Sequence, residues 1–528
     1  MTTIAIDFGT SNTVISILEP DTQQPKSLRF PNLSRVFVGV NSQGERLEFP
    51  VIPSLLFIKS PNNIILGEGV RSQRLGLSQN YPPERLFKKF KRDLAEDYQP
   101  PLRQIDGFTY NSVTVSELFI QTIWTEIQQQ NIEPNHLVFT VPVGAFERYL
   151  DWFRELGNKL NVPQVSIIDE STAAALGYAV KSPGKLILVV DFGGGTLDLS
   201  LVRTVNNSHQ NNDLRAEVLA KSEAYVGGED IDVWIVDDYL RSQNLTPEQI
   251  GKISYQNLLE IAEGLKIQLS KNQTASESWF DDESFMSYEL TITREKLEEI
   301  LEYRQFLQQL RDALDEVLNF ALRKGISKND IEQVLLVGGS CLIPAVQQLI
   351  ISYFGKNKVK LNKPFDAVCH GALAITQITE IDDFLRHSYA IRLWDNFSKS
   401  YIYHPIFTKG TKYPCQSSQW LTLQTANNGQ TEIRLDIGEV GDMTQTEIAF
   451  DASGRMTSST LQHQESYRSL DTQHQQVCVA KLNPPAAAGF DRISVLFEVD
   501  SRRILLATVK DLLTAEILVN RGEIYKLI

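Results

Sequence analysis

Two aspartates close matching apolar runs. Ile4-Ala5-Ile6-Asp7-Phe8-Gly9-Thr10-Ser11-Asn12 opens the chain, and Leu188-Val189-Val190-Asp191-Phe192-Gly193-Gly194-Gly195-Thr196 repeats the pattern far downstream. In each copy an apolar triplet reads as a buried strand, the acid ends it, a glycine turn follows, and an alternating strand leaves (Thr13 to Leu18, then Leu197 to Val202). One such hairpin is ordinary turn chemistry, whereas two matched copies predict a duplicated fold. The chemistry that suits them is phosphate binding: glycine turns present backbone N–H groups to phosphate oxygens. A carboxylate beside each turn suits Mg²⁺, which keeps several of its waters. A third turn, Gly338-Gly339-Ser340, follows the apolar run Val334 to Val337 and precedes Pro344, near the start of the next helix. Its small residues give a ligand close access to a helix entrance.

These turns must be held by an α/β scaffold. The apolar positions Leu297, Ile300, Leu301, Leu307, Leu310, Leu314, Val317, Leu318 and Ala321 keep a helical period and predict one long helix stopped at Gly325. Beyond about residue 385 the texture changes to short alternating stretches: Trp420 to Thr425, Glu432 to Ile437, Ile493 to Val499, Ile504 to Val509 and Glu516 to Val519. That pattern predicts an all-β module. Glu380 to Arg392 reads as a linker, and the polar stretch Gln462 to Gln476 as a loop.

Composition narrows the partners. The 528 residues carry a net charge of −14 and are 42% hydrophobic and 22% charged, ordinary globular values that allow about three or four domains. An acidic chain lacks the concentrated positive potential that a nucleic-acid groove or an anionic membrane requires. No apolar run approaches the roughly 18 residues of a membrane span, and the start has no basic leader, so a cytoplasmic protein is expected. Cys341, Cys369, Cys415 and Cys478 lie far apart without metal-ligand spacing and read as reduced thiols acting as small apolar residues. The Walker pattern is absent, and no G-x-G-x-x-G leads from a strand into a helix, which removes the P-loop and dinucleotide folds.

With these residues in view, the chain resembles the 70-kilodalton heat-shock chaperones of the DnaK type, within the actin and sugar-kinase ATPase superfamily. Asp7 to Asn12 resembles that family's first phosphate loop, Asp191 to Asp198 its second, and Val337 to Ser340 its adenosine loop. Ile168 to Tyr178 is similar to its connecting helix, and Val226 to Asp232 and Ala262 to Ser270 follow in order. The resemblance implies an actin-like ATPase domain of duplicated ribonuclease-H-like subdomains over residues 1–379, a linker at 380–392 and a β-sandwich peptide-binding-like module over 393–528. It implies ATP or ADP with Mg²⁺ as cofactors. Asp7, Glu170 and Asp191 would hold Mg²⁺, mostly through water. Gly9, Thr10, Ser11, Asn12, Gly193, Gly194, Gly195, Thr196, Gly227 and Gly228 would meet the phosphates. Glu263, Lys266, Ser270, Gly338, Gly339, Ser340 and Ile343 would surround the adenosine. Lys91 in Phe90-Lys91-Arg92 would position the attacking water, with Thr10, Glu170, Asp191 and Thr196 completing the catalytic set. From the residues alone, without the resemblance, Lys88, Lys89, Lys91 and Arg92 read as a solvated basic face.

The implied partners are unfolded or extended polypeptides, with a J-domain co-chaperone and a nucleotide-exchange factor. Departures from the family pattern are also visible. Leu342 follows Cys341 where the family places an arginine on adenine, so the base is expected against an aliphatic surface. The relay arginine of the family falls at Leu150. Asp382-Asp383-Phe384-Leu385-Arg386-His387 stands where the family has a leucine-rich linker, and with nine residues after Val519 the sequence is expected to form no helical lid of roughly a hundred residues. Ile406 to Pro414, Leu421 to Gly438 and Leu482 to Asp511 keep the family's order in the β module, where backbone hydrogen bonds could take an extended peptide. A plain sandwich without an open groove fits the same strands. Two other functions stay open: a nucleotide-gated adaptor for one dedicated partner, and a small-molecule kinase of the same superfamily.

Overall fold

A computed structural model of the chain describes residues 2–19, 22–40, 45–95, 100–142, 147–179, 185–206, 214–224, 226–281, 285–361, 363–374, 385, 388–395, 400–408, 411, 413–450, 456–470, 477–500 and 503–527. The chain gathers into two compact units, Met1–Val143 with Trp152–Thr379, and Gly144–Asp151 with Glu380–Ile528.

The first unit contains the same sheet motif twice. Strand Thr3–Phe8 pairs antiparallel with Asn12–Leu18 on one side and parallel with His136–Val141 on the other. Strand Leu186–Phe192 does likewise, antiparallel with Leu197–Asn206 and parallel with Gln333–Val337. Each aspartate-bearing strand is thus central in its sheet and buried on both faces, which explains its unbroken apolar run. Alternation still sorts the faces of the second strand. Leu188 and Val190 join the core of the second sheet and its helices, while Ile187 and Val189 join a core with Ala5, Val138 and the helix Glu170–Ala179. That helix crosses Ala367–Ala372 at close range: a Cβ on Gly177 would come 3.0 Å from the Gly371 α-carbon. The two matched hairpins thus mark a duplication within the α/β fold of the first unit.

The helix expected from Leu297 to Ala321 is two helices, Arg294–Tyr303 and Phe306–Arg323. Gln305 breaks them by adopting a left-handed backbone at φ 55, a local choice that apolar periodicity does not register. Gly325, at φ 77, follows the second helix as a stop signal should.

The second unit is a sandwich of two antiparallel sheets. One runs Ser400–Phe407, Ser388–Asp395, Gln430–Phe450, Met456–Ser469, with Val477–Ala486 also on Gln430–Phe450. The other orders Cys415–Gln416, Asp491–Val499, Ile504–Asp511, Ile517–Lys526, with Leu421–Gln424 also on Asp491–Val499. Tyr389, Ile391, Ile437, Val495 and Val509 lie in its shared core. Residues 462–469, expected as loop, lie in a strand paired with Gly438 to Gln445, because polar side chains do not prevent backbone pairing. Most of the linker motif at 382–387 lies outside the described residues. Of its apolar pair Leu385 is described, and it is buried in the sandwich core. The first strand of the sandwich begins at Ser388, within the stretch read as linker. No described helix is long and apolar enough to cross a membrane.

Candidate functional site

Within the first unit the hairpin turns and the third glycine turn line one cleft of about 690 Å³. The two hairpins meet tip to tip. A Cβ on Gly194 would overlap the Ser11 hydroxyl, and one on Gly195 would come 3.2 Å from Thr10 Cγ2. Gly227 and Gly228 close the same cradle: Gly228 N donates to Gly193 O at 3.1 Å, and Glu229 N to Gly194 O at 2.9 Å. A side chain on Gly227 would strike the Gly194 carbonyl. Glycine is therefore required here by space, and the backbone lies bare to a ligand. Ser54 braces the first turn, its hydroxyl donating to Gly9 O at 2.7 Å and its N–H to Ser11 O at 2.9 Å. The Ser11 hydroxyl donates to Glu229 Oε1 at 2.6 Å, so its side chain joins the two halves.

Beneath the turns lie four carboxylates, Asp7, Glu170, Asp191 and Asp198. Burial, reinforced by Glu170, raises Asp7 to about 6, against the pull of Lys91 and a 2.7 Å hydrogen bond from Thr140 Oγ1. Burial and the charges of Glu170, Asp198 and Asp7 push Asp191 well above the usual carboxylate range. Lys91 is 8% exposed and pairs with Glu170 at 2.9 Å. It points there because Phe90 is anchored among Phe8 and Phe119, with ring centroids at 5.9 and 5.3 Å, which turns the next residue into the cleft. Lys88 and Lys89 pair with Glu260 and Glu229 at 3.0 and 2.8 Å. All three lysines thus pair with acids, and of the three Lys91 is the buried one.

Asp7 and Asp191 share more buried negative charge than one lysine offsets, and the glycine cradle above them is bare. A hydrated Mg²⁺ carrying phosphates fits such a donor set. Among the described residues no group of three His, Cys, Asp or Glu side chains is close enough to ligate a metal ion directly. Asp198 stood outside the sequence-derived site. The hairpin register places it opposite Asp191, so the pairing of the second hairpin was the signal for it.

The third turn packs against the second hairpin: Gly338 takes φ 84, and a Cβ on it would strike Phe192 O. The Ser340 hydroxyl donates to Gly193 O at 2.8 Å, tying the third turn to the second. Lys266 donates to Gly228 O at 2.6 Å and pairs with Asp232 at 2.7 Å. Burial raises Asp232 to about 7 despite that lysine. Glu263 is also buried, which would raise it, but Arg71, Lys266 and Arg35 outweigh burial and hold it at about 2. Ser270, whose hydroxyl donates to Lys266 O at 3.2 Å, lines the cleft together with Ile343, Asn12, Thr196 and Gly339. Leu342 lines the cleft too, yet its lining is not only aliphatic, because Phe37 and Phe365 also belong to it. Arg35, Arg71 and Phe37 had no local sequence signal, since each acts on residues more than 150 positions away. Cys341 and Cys369 are fully buried, and burial raises both thiols. Leu150 is fully buried.

A family profile described as Hsp70 protein matches residues 158–517. The chain belongs to the Hsp70 family. Hsp70 relatives at low identity extend the match over nearly the whole chain. The chaperone protein DnaK of Thermotoga neapolitana is 26% identical over 528 residues, covering 96% of this chain and 78% of the relative. The chaperone protein DnaK of Thermosipho melanesiensis is 27% identical over 530 residues, covering 97% and 78%. The Hsp70 family is one of chaperone-like, ATP-binding proteins, and the cleft described above lies in the first, actin-like unit of the chain.

Proposed function

We propose that the protein binds and hydrolyses ATP in the cleft of the first unit and uses the nucleotide state to modulate binding of unfolded or extended polypeptide segments by the β-sandwich. The observation that carries this reading is the meeting of two glycine turns over buried carboxylates beside Lys91. Glycine amides at Gly193 to Gly195, Gly227 and Gly228 bind the phosphates, and Thr10 and Thr196 flank them. Mg²⁺, when bound, neutralises phosphate charge and orders water. Asp7, Glu170 and Asp191 hold it, mostly through its waters. Lys91, kept in place by Glu170, orients the attacking water and offsets charge that develops on the terminal phosphate. Glu263, Lys266, Ser270, Gly338, Gly339, Ser340 and Ile343 surround the adenosine. We expect polypeptide clients, a J-domain co-chaperone and an exchange factor as partners of a cytoplasmic protein.

Phosphate release from Mg·ATP tests the enzymatic half of the proposal. The wild-type chain should release phosphate slowly, and Asp191→Asn should lose at least a hundredfold of that rate while still binding ATP. A wild-type rate matched by Asp191→Asn would place hydrolysis elsewhere. Transfer of the terminal phosphate to a sugar instead of water would make the protein a kinase.

A further inference from the structure

One strand of the sandwich outruns its sheet. Gln430–Phe450 has 21 residues, against about 5–6 in an ordinary strand. Its first part lies inside the sheet, where Gln430 to Leu435 pair with Val477–Ala486 and Asp436 to Val440 with Ser388–Asp395. From Gly441 to Phe450 the strand pairs, among the described residues, with Met456–Ser469 alone. At roughly 3.4 Å per residue, this two-stranded ribbon runs about 30 Å beyond the sheet. Such a ribbon is marginally stable by itself in water, and its outer edges offer unpaired N–H and C=O groups to any strand that meets them. Edges that must stay free usually carry lysine, proline or a bulge. Between Gly441 and Ser466 there is no lysine and no proline, and the pairing runs without a bulge from Gly438 to Ala449. The edge that Ser388–Asp395 covers as far as Val440 is therefore left open and unprotected beyond it.

We propose that this ribbon is a dimerisation arm: the open edge of Gly441–Phe450 pairs antiparallel with the same edge of a second copy of the chain, centred on Thr446, and joins two ribbons into one four-stranded sheet. The sequence suits its own reverse. A two-fold axis at Thr446 sets Thr446 against Thr446, Thr444 against Ile448, Met443 against Ala449 and Gln445 against Glu447. The acid Asp442 then meets Phe450, so no like charges stand opposite each other across the new pairing. Each strand leaves its own sheet at Val440 and runs outward, which puts the two sandwiches at opposite ends of the joined ribbons.

Analytical ultracentrifugation of the full chain, with charge placed at the centre of the pairing, tests it. The wild-type chain should sediment as a dimer at micromolar concentration. Thr446→Lys and Thr446→Glu each set two like charges against each other at the axis and should each halve the sedimenting mass, whereas an equimolar mixture of the two should recover the dimer. A chain in which Asn-Gly replaces residues 442–465 closes a shortened hairpin with a tight turn and should be monomeric. Under mild oxidation Thr446→Cys should form an interchain disulfide above the wild-type level, and Asp442→Cys should not. A dimer that persists without the arm overturns the proposal. So does a mixture of the charge variants that stays monomeric, because the substitutions then act by disturbing the ribbon itself. A monomeric wild-type chain overturns it as well, and arm-dependent binding of an extended peptide would then name a different occupant of the edge.

Discussion

The two ends of the cleft are built by different means. At the phosphate end the parts are backbone: glycines whose Cβ atoms would overlap Ser11 or the Gly194 carbonyl, set over carboxylates at strand ends. At the end proposed for the adenosine the parts are side chains from distant segments, with Arg35, Arg71 and Phe37 meeting Glu263 and Phe365. Backbone geometry tolerates few alternatives, whereas a wall of side chains can be rebuilt from other residues. Substitutions at the phosphate end should therefore be severe and substitutions at the proposed adenosine end graded.

The largest effect after loss of Asp191 is expected at Lys91. Lys91→Ala should slow turnover about 10²- to 10³-fold, the usual consequence of removing one charge-stabilising donor, and should leave ATP affinity within about threefold. Turnover and affinity both measured at wild-type levels would leave Lys91 with only its buried ion pair to Glu170. Gly194→Ala comes next. Its new methyl group drives the Ser11 hydroxyl away from Glu229, and we expect ATP affinity to drop about tenfold in a calorimetric titration.

Glu263 gives a graded effect with a definite pH sign. Its carboxyl is held at about 2 against an ordinary value of 4.5, so the stability it contributes is complete above about pH 4.5 and is lost as pH falls toward about 2. Urea unfolding should show Glu263→Gln less stable than wild type by about 3 kcal/mol at pH 7, with the gap closing between pH 4.5 and 2. A gap independent of pH would mean that the arginines contribute nothing through its charge. The smallest effect is predicted for Gly264→Ala, one residue away. No atom lies within 4 Å of the new Cβ, in a helix interior, so the change should stabilise the unit by about 0.5–1 kcal/mol and leave ATP binding alone.

The same contrast explains what was legible in the sequence. Asp7-Phe8-Gly9 and Asp191-Phe192-Gly193 carry their geometry locally, because an apolar run, an acid and a glycine specify a strand end and a tight turn wherever they occur. The all-β stretches were legible for the same reason; Ile493 to Val499 lies inside the observed strand Asp491–Val499. Asp198 could have been read from the pairing of its own hairpin. Phe37 and Arg35 could not, since nothing near them in sequence indicates Phe365 or Glu263. The interruption at Gln305 was hidden because the apolar positions on both sides of it keep a helical spacing, while the break is a matter of one backbone torsion. In the sandwich, Gln462 to Ser469 was misread because polarity stood in for lack of structure, although pairing with Gly438 to Gln445 is made by the backbone.

Both ends of the cleft serve the proposed function only if the bound nucleotide changes what the second unit holds. Fluorescence anisotropy of a panel of unfolded peptides, titrated with the full chain in ATP, in ADP and without nucleotide, tests this most directly. The account predicts binding to many apolar peptides, with affinity at least tenfold tighter in ADP than in ATP, a difference of about 1.4 kcal/mol between the two states. Peptide affinity identical in all three conditions, or no binding to any peptide, would contradict it.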